Sequence, residues 1–457
     1  MVGLLSKERL VAGPGFSRWW IAAAALLINL SVGQAYAWSV FNLPLARVLG
    51  VKEPLPSDWK LPTLGFVFTL AYVFLGLSAG VLGKWQDRVG PRTSGIVAAL
   101  CFGSGFFLSA LGVSRHEIAL LYLGYGVLGG CGLGLGFNTP IPILLRWFPD
   151  RRGLAAGLAI MGFGGGAILA APLSTALMRR FASPSSVGVA ETFVVLGLVY
   201  SVAMLAGAFL FRLPPAGFHP AGEPPSPAEG YTVEQAVRTR PFVLLWCMLL
   251  LNVTAGLGVL GQAAAMVQDV FDGVSAEAAG FFVALLSGFN MGGRLAWAWL
   301  SDLVGRKTTY ALFFSLGPIL YAAVPFAGRE RSLVLFVGFF AVIMSMYGGA
   351  FATMPAYVAD LFGGAHVGAI YGRVLTALSV AGLLGPTLVN LLREHWIAQG
   401  YSRSHAYDAT LYIMAGLLVL GFLCNRAVRP PGALGRLEGG ETLAPPAPAT
   451  AQGVAEP

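Results

Sequence analysis

Arg294 and the polar residues one and two helical turns before it are the side chains best placed to do chemistry. Arg294 lies in residues 281–300, an otherwise uncharged apolar run that is long enough to cross a bilayer. A guanidinium stays charged in proteins, and placing it in such a run costs a few kcal/mol. Asn290 and Ser287 lie on the same helical face, so the three side chains form one polar stripe. This stripe predicts a site that holds an anion during its passage across a membrane.

Arg294 also has a purely structural interpretation. It stands about six residues from the end of its apolar segment, roughly 9 Å along a helix axis. A long side chain can cover part of that distance and leave its charge near the membrane surface. This alternative stays open beside the anion site, although the fork of a guanidinium matches a carboxylate well.

The composition identifies the class of protein. The chain has 457 residues, of which 56% are hydrophobic and 11% charged, and these values exclude a soluble globular protein. Apolar segments of about 20 residues recur along it with short connections. We predict an all-α membrane protein with twelve transmembrane helices in two pseudo-symmetric six-helix bundles. The predicted helices lie near 19–41, 61–83, 93–113, 117–145, 153–178, 191–211, 241–268, 276–300, 308–328, 332–359, 366–392 and 406–427.

The distribution of positive charge predicts the orientation. The net charge is +8, and the basic residues cluster in the connections between alternate apolar segments. By the positive-inside rule these connections and both termini are cytoplasmic. The pattern is typical of a multi-pass protein of the plasma (inner) membrane and not of a nucleic-acid-binding protein. We expect the lipid bilayer and a small organic anion as partners, and a functional monomer.

The two bundles are separated by the longest interior connection. Six prolines keep its first part extended, and Thr232 with Gln235 has the form of a capping box that opens a short surface helix over residues 233–239. We predict a cytoplasmic N-terminal tail at 1–18, bundles at 19–211 and 241–427, a cytoplasmic linker at 212–240, and a disordered cytoplasmic tail at 428–457.

A repeated pattern follows the second helix of each half. In both copies an aspartate is followed by glycine three residues later and by a basic residue two residues after that. The glycine allows a tight reversal, and the carboxylate can meet a helix N-terminus. An ordinary basic connection is the alternative for each copy alone. The pattern resembles the signature of the major facilitator superfamily, and it implies gating by Asp87, Arg88, Arg92, Asp302, Arg306 and Lys307.

Longer stretches resemble one branch of that superfamily. Residues 130–166 combine a glycine-rich segment, prolines and a basic turn, and residues 36–41, 290–294 and 371–386 stand in matching places. They are similar to the oxalate/formate antiporter family and its relatives, the monocarboxylate porters. The resemblance implies transport of small carboxylates by alternating access. It also implies that Arg294 holds the carboxylate, because it matches the arginine thought to do so in those porters.

The same comparison bears on the mode of transport. Proton-coupled monocarboxylate porters carry an aspartate one turn before that arginine, where this sequence has Asn290. No other acidic or histidine side chain stands in the middle of a predicted helix, so we expect anion exchange, with uniport as the alternative. One buried cation favours a monocarboxylate of the formate, lactate or pyruvate type over oxalate. We predict that Arg294, Asn290, Tyr36 and Tyr122 bind the substrate.

Other classes of function fit the sequence less well. An enzyme would need a nucleophile, a metal cluster or an acid–base pair in the membrane segments, and the sequence offers none there. We therefore predict that the protein is not an enzyme and has no catalytic residue, metal or cofactor. A receptor derived from a transporter would need a signalling domain. The remaining alternative is a major facilitator exporter or importer of a drug or sugar, which would not require Arg294.

Overall fold

The part of the chain that the computed structural model describes comprises residues 10–215, 218, 230–271 and 273–431. Within these ranges the secondary structure is helical apart from two isolated β-bridges, Val11 with Leu213 and Ser183 with Ser186. The predicted N-terminal tail is described only from residue 10, the linker only in part, and the C-terminal tail only to residue 431. The remainder of these three predictions lies outside the described residues.

Twelve long helices carry the architecture and agree with the predicted all-α membrane fold. They are α1 (Trp19–Ala37), α2 (Leu61–Val89), α3 (Pro91–Ser114), α4 (Ile118–Trp147), α5 (Pro149–Phe181), α6 (Val189–Leu210), α7 (Arg240–Val270), α8 (Ala276–Val304), α9 (Arg306–Arg329), α10 (Leu333–Phe362), α11 (Val367–Ala398) and α12 (Arg403–Ala427). Departures from α-helical geometry include 3₁₀ turns at Gly33–Ala37 and Pro149–Arg151 and a π-helical stretch at Tyr122–Gly129. Single turn residues, Thr139 and Leu375, interrupt α4 and α11.

Eleven helices in the described part of the chain are long and apolar enough to cross a membrane. The exception among the twelve is α8, which has 29 residues and is long enough. Asn290 and Arg294 lower its hydropathy, since an amide and a guanidinium are among the most costly groups to transfer from water. The residues that lower the hydropathy of α8 are therefore the ones predicted to carry function.

The first helix is tightened where it approaches α5. Its last five residues form the 3₁₀ turn, and the chain then continues as a short helix, Ser39–Leu45. A Cβ on Gly33 would lie 2.6 Å from the backbone oxygen of Phe163, so a glycine is required for α1 to approach α5 this closely. Tyr36 consequently lies in a tightened turn directly beside α5.

The repeated aspartates lie within helices, whereas we predicted them in the connections that follow. Asp87 is in the last turn of α2, and Asp302 is in the last turn of α8. Gly90 and Gly305 have φ values of 85° and 88°, which let each glycine reverse the chain so that the next helix begins with the following residue. The carboxylates are therefore carried on helix ends and not on loops.

The helices pack as two bundles that meet along their inner helices. Within the bundles α3 packs against α6 and α9 against α12, whereas α2 meets α11 and α5 meets α8 across the middle. Both described chain ends reach one side, because Ala12 bonds to Leu213 after α6 and Val428 accepts from Lys307 at the start of α9. We call this side the terminal face and the opposite side the far face. The bundle boundaries at 19–211 and 241–427 remain our proposal.

The short helix before α7 is Val233–Val237, and it ends before residue 239. Thr232 Oγ1 accepts from the Gln235 backbone N–H, and the Thr232 N–H donates to Gln235 Oε1, as a capping box requires. The helix is shorter than predicted because Thr239 accepts from the Phe242 N–H and so caps the start of α7.

Candidate functional site

Arg294 is fully buried where the two bundles meet. Its Nε donates to Asn290 Oδ1 at 2.9 Å, one turn earlier on α8. Nη1 donates to the backbone oxygen of Ile160 on α5 at 3.1 Å, and Nη2 donates to the Tyr36 hydroxyl on α1 at 3.4 Å. Helices from both bundles therefore hold the guanidinium, and it does not snorkel to a membrane surface in this conformation.

Aromatic rings cover the guanidinium on two sides. Its central carbon lies 5.4 Å from the ring centroid of Phe163 on α5 and 5.2 Å from that of Phe351 on α10. Phe137 packs edge-on against Phe163 at 5.0 Å. Ring faces attract a cation, and the apolar surroundings strengthen any charge interaction made there. The guanidinium can therefore hold an anion strongly even when the anion contacts few other groups.

Three buried tyrosines add hydroxyl groups to the same region. Tyr72 and Tyr347 place their hydroxyls beside that of Tyr36, but neither reaches the geometry of a hydrogen bond with any described residue. The Tyr371 hydroxyl is also unpaired among the described residues and lies within electrostatic reach of Arg294. Tyr72 was not among the predicted site residues, although it is a polar aromatic residue within a predicted helix, as Tyr36 is. These hydroxyls could bind a second oxygen atom of a ligand.

The charge of Arg294 is not balanced by any carboxylate among the described residues. Buried charges in proteins are normally paired, because an uncompensated one costs several kcal/mol. A guanidinium has five N–H donors, and three of its hydrogen bonds here go to neutral oxygens. Arg294 therefore retains both the charge and the donors needed to bind a carboxylate.

The four predicted substrate residues do not all come together. Arg294, Asn290 and Tyr36 form one hydrogen-bonded group. The Tyr122 hydroxyl instead donates to the backbone oxygen of Thr63, close to the far-face ends of α4 and α2. Tyr122 is not part of the cluster, because a residue in the first turns of α4 cannot reach a side chain held at mid-helix in α8.

The repeated aspartates tie the two bundles together at the terminal face. Asp87 accepts from the backbone N–H of Ala369 at 3.1 Å, at the start of α11. Asp302 accepts from the N–H groups of Gly153 and Leu154 at 2.8 and 2.9 Å, at the start of α5. Each carboxylate therefore meets the N-terminus of a helix in the opposite bundle, where unpaired N–H groups and the helix dipole favour a negative charge.

The basic residues predicted to gate have different surroundings. Arg306 pairs with Asp302 at 2.5 Å and with Asp360 at 3.0 Å, and Arg152 of the other bundle also reaches Asp360 at 3.0 Å. Arg92 donates to backbone oxygens at the end of α6, Lys307 donates to backbone oxygens at the end of α12, and Arg88 is exposed. In the second copy, Asp302 and Arg306 are thus linked through Asp360 to Arg152 of the other bundle.

Small residues allow close contact between the bundles from the terminal face to the middle. A Cβ on Gly153 would lie 2.0 Å from the backbone oxygen of Ala298, and one on Gly372 would lie 2.3 Å from that of Ala79. At Gly164 a Cβ would meet Arg294 Nε at 2.8 Å. This conformation is therefore closed on the terminal face, and the closure extends as far as the arginine.

Replacing Asp302 with asparagine is expected to loosen this closure. The substitution removes the negative charge from two backbone hydrogen bonds and one ion pair. A hydrogen bond to a charged group contributes about 1.5–3 kcal/mol, so Asp302→Asn should shift the closed population by about tenfold. The measurement is the distance between spin labels at exposed Arg88 and exposed Leu303, at the ends of α2 and α8.

The matched control is Asp408→Asn, which removes an ion pair with Arg329 on the far face. It should leave the distance between the two labels unchanged. A distance distribution in Asp302→Asn identical to that of the wild type would show that the carboxylate does not hold the terminal face closed.

Comparison with known proteins gives concordant matches. A family model described as the Major Facilitator Superfamily matches residues 20–386, with a second match at 263–454. An oxalate:formate antiporter of Oxalobacter formigenes is 27% identical over 374 residues, which cover 81% of this chain and 83% of that protein. Apicoplast pyruvate carrier 1 of Toxoplasma gondii is 26% identical over 476 residues, covering 89% of this chain and 81% of that protein.

Solved structures have the same fold. FucP, a Major Facilitator Superfamily transporter described in its outward conformation, superposes with a TM-score of 0.64 at 15% sequence identity, and the match covers 89% of this chain and 98% of that one. At this level of identity the similarity concerns the arrangement of helices alone.

Proposed function

Because this chain belongs to the Major Facilitator Superfamily and is an integral multi-pass membrane transporter, we propose that it carries small organic anions by alternating access. The cargo we infer is a monocarboxylate of the formate, lactate or pyruvate type, with oxalate as the dianionic variant of the same chemistry. Transport is by exchange of one anion for another. Arg294 binds the carboxylate, and Asn290 and Tyr36 orient the guanidinium.

One observation carries this proposal: a fully buried arginine at the junction of the bundles has no carboxylate partner among the described residues. A substrate carboxylate would balance this charge and use the fork geometry of the guanidinium. The oxalate:formate antiporter and the pyruvate carrier that this chain resembles are named for such acids, which supports the same class of cargo.

A single charge favours a monoanion. The groups around Arg294 are an amide, phenol hydroxyls and aromatic rings, all of them neutral. A second carboxylate of a dianion would have only neutral hydroxyl donors in this dry region and would pay a larger desolvation cost. Tyr72, Tyr347 and Tyr371 can instead meet a hydroxyl or keto oxygen next to a single carboxylate. We therefore rank lactate- and pyruvate-like acids above oxalate.

The experiment that tests the proposal is uptake of labelled formate, oxalate, lactate and pyruvate into proteoliposomes. Vesicles preloaded with an unlabelled acid are compared with empty vesicles. We expect one acid or more to enter at least about tenfold faster into preloaded vesicles, because the binding site of an exchanger returns across the membrane only when it is loaded. Equal uptake into empty vesicles would favour uniport, and uptake of none of the acids would favour a drug or sugar as cargo.

Asn290→Asp is expected to make transport depend on pH. The new carboxylate would stand where Asn290 Oδ1 now lies, 2.9 Å from Arg294 Nε, and would pair with the guanidinium. At neutral pH this internal ion pair competes with the substrate, so exchange should fall by about tenfold or more. Protonation at low pH releases Arg294, and exchange should rise as the pH falls. Initial rates between pH 5 and 8 are the measurement.

Asn290→Ser serves as the control, since it alters the same position without adding a charge. It should keep the flat pH profile of the wild type. A flat profile for Asn290→Asp as well would indicate that position 290 does not face the bound anion.

We also propose that the terminal face is cytoplasmic, that the protein resides in the plasma (inner) membrane, and that a single chain suffices. The basic residues concentrated in the terminal-face connections support this orientation. Each bundle supplies part of the Arg294 cluster, so the cluster requires no second copy.

A further inference from the structure

A second candidate binding site lies on the far face, away from Arg294. The connection between α1 and α2 encloses an open groove of about 690 Å³. Its walls are leucine, proline and tryptophan side chains, and three basic residues, Arg47, Lys52 and Lys60, stand around it. None of the proposed transport residues lines this groove, so it is separate from the site of the cargo.

The connection that forms the groove is held in one shape. Asp58 accepts from the backbone N–H groups of Leu49, Gly50 and Leu55 at 2.8, 3.2 and 2.9 Å. Burial raises the pKa of Asp58, but the three backbone hydrogen bonds outweigh it and the pKa lies below its usual range. Next to it, Trp59 stacks on His116 with ring centroids 4.4 Å apart. The basic side chains are thus displayed from a fixed backbone.

The side chains that line the groove carry a net positive charge. Arg47, Lys52 and Lys60 are all exposed, and none forms an ion pair with a described residue. The carboxylate of Asp58 is already committed to three backbone groups. Glu53, the other acid of this connection, is exposed and does not line the groove. Three positive charges and the one negative charge of Asp58 therefore stand around the opening. The groove is net positive, and the complementary ligand is an anion.

The groove is too apolar for a small hydrophilic anion to fill it favourably. Leu43, Leu55 and Leu61 line it and are 69%, 48% and 50% exposed. It lies where the continuation of α1 ends and α2 begins, which is the boundary between the membrane and water. Cations at headgroup level beside exposed leucines match an amphiphile with an anionic head and an acyl chain. A carboxylate such as formate would gain nothing from the leucines.

We propose that this groove binds one anionic phospholipid of the far-face leaflet. Arg47, Lys52 and Lys60 surround its phosphodiester headgroup, and Leu43, Leu55 and Leu61 contact the upper part of an acyl chain. The lipid thereby anchors the connection between α1 and α2, and α1 carries Tyr36 of the transport site.

The test is retention of phosphatidylglycerol by the purified full-length protein in detergent. Native mass spectrometry compares the amount of phosphatidylglycerol retained with the amount of phosphatidylcholine retained. The wild type should retain one phosphatidylglycerol in preference. The variant Arg47→Gln/Lys52→Gln/Lys60→Gln should bind it at least about tenfold more weakly, because one basic residue at an anionic surface contributes about fivefold. The control Arg115→Gln/Arg179→Gln/Arg180→Gln removes three exposed cations of the same face outside the groove and should retain it.

A second variant, Leu43→Ser/Leu55→Ser, keeps every charge of the groove. It distinguishes binding of an amphiphile from binding of a free anion. It should also lose phosphatidylglycerol, and added inorganic phosphate or formate should not displace the lipid from the wild type. Equal retention of the two lipids by the wild type, or loss of phosphatidylglycerol in the control as large as in the groove variant, would overturn the proposal. Displacement by phosphate or formate would assign the groove to a soluble anion instead. Thermal melting in detergent verifies that each variant is folded. The test measures lipid binding and does not depend on transport activity.

Discussion

Replacing Arg294 with alanine should abolish carboxylate exchange, with a loss of at least about a hundredfold in initial rate at low substrate. Two charge-assisted hydrogen bonds to a carboxylate contribute about 3 kcal/mol or more together, which corresponds to two decades in binding. The measurement is exchange of the acid that the wild type prefers in preloaded proteoliposomes. Because Arg294 also bonds to Ile160 and Tyr36 across the bundles, melting of the purified variant must accompany it.

The variant Arg294→Lys distinguishes the effect of the positive charge from the effect of the planar guanidinium geometry. Lysine keeps the positive charge but lacks the planar fork, so it cannot keep the bonds to Asn290, Ile160 and Tyr36 and still offer paired donors. We expect partial activity, between those of the wild type and of alanine. Tyr122→Phe is the matched control, since its hydroxyl bonds to Thr63 and stands apart from the cluster. Full exchange by Arg294→Ala would make the arginine structural and remove the basis for an anionic cargo.

The second large effect is expected from a single methyl group between the bundles. In Gly153→Ala the new Cβ would lie 2.0 Å from the Ala298 oxygen, and in Gly372→Ala it would lie 2.3 Å from the Ala79 oxygen. A flexible side chain could move away from the new Cβ, but a backbone oxygen within a helix cannot. The bundles must therefore separate at the terminal face. Overpacking of this kind costs about 1–3 kcal/mol, which shifts a two-state population by about tenfold to a hundredfold. The spin-label distance between Arg88 and Leu303 should lengthen, and exchange should slow.

Gly288→Ala tests whether the effect is specific to the contact. Gly288 lies on the same helix as Ala298, but a Cβ there would meet no atom within 4 Å. This variant should leave the distance distribution and the rate of exchange unchanged. If Gly153→Ala and Gly372→Ala also kept the short distance, the close contact of α5 with α8 and of α2 with α11 would not be needed for closure.

The number of the helices and their approximate positions follow closely from the sequence. A bilayer requires about 20 apolar residues in each helix, and this requirement acts on each segment independently of its neighbours. The same local rule singles out Arg294, because a charge in the middle of such a segment is visible without any tertiary information. The repeated aspartates were recognisable for a similar reason, since a glycine at a fixed distance marks the reversal after each one.

The extents of some elements were less predictable. The predicted second helix ends before Asp87, yet α2 continues through that residue to Val89. Charged side chains at a membrane surface are equally compatible with a last helical turn and with a loop. The reversal at Gly90, with φ of 85°, decides between them, and its positive φ is a property of the folded backbone.

The membership of the site depended on tertiary contacts. Tyr36, Tyr72 and Tyr122 are all polar aromatic residues in predicted helices, and nothing local distinguishes them. Packing of α1 on α5 through Gly33 brings Tyr36 to Arg294, and the meeting of the bundles brings Tyr72 beside it, whereas Tyr122 bonds to Thr63 near the far face. The sequence alone thus determined that a charge is held in the membrane and on which helix. Only the tertiary structure decided which side chains surround it, because contacts between helices far apart in the chain depend on how helix faces pack and not on local periodicity.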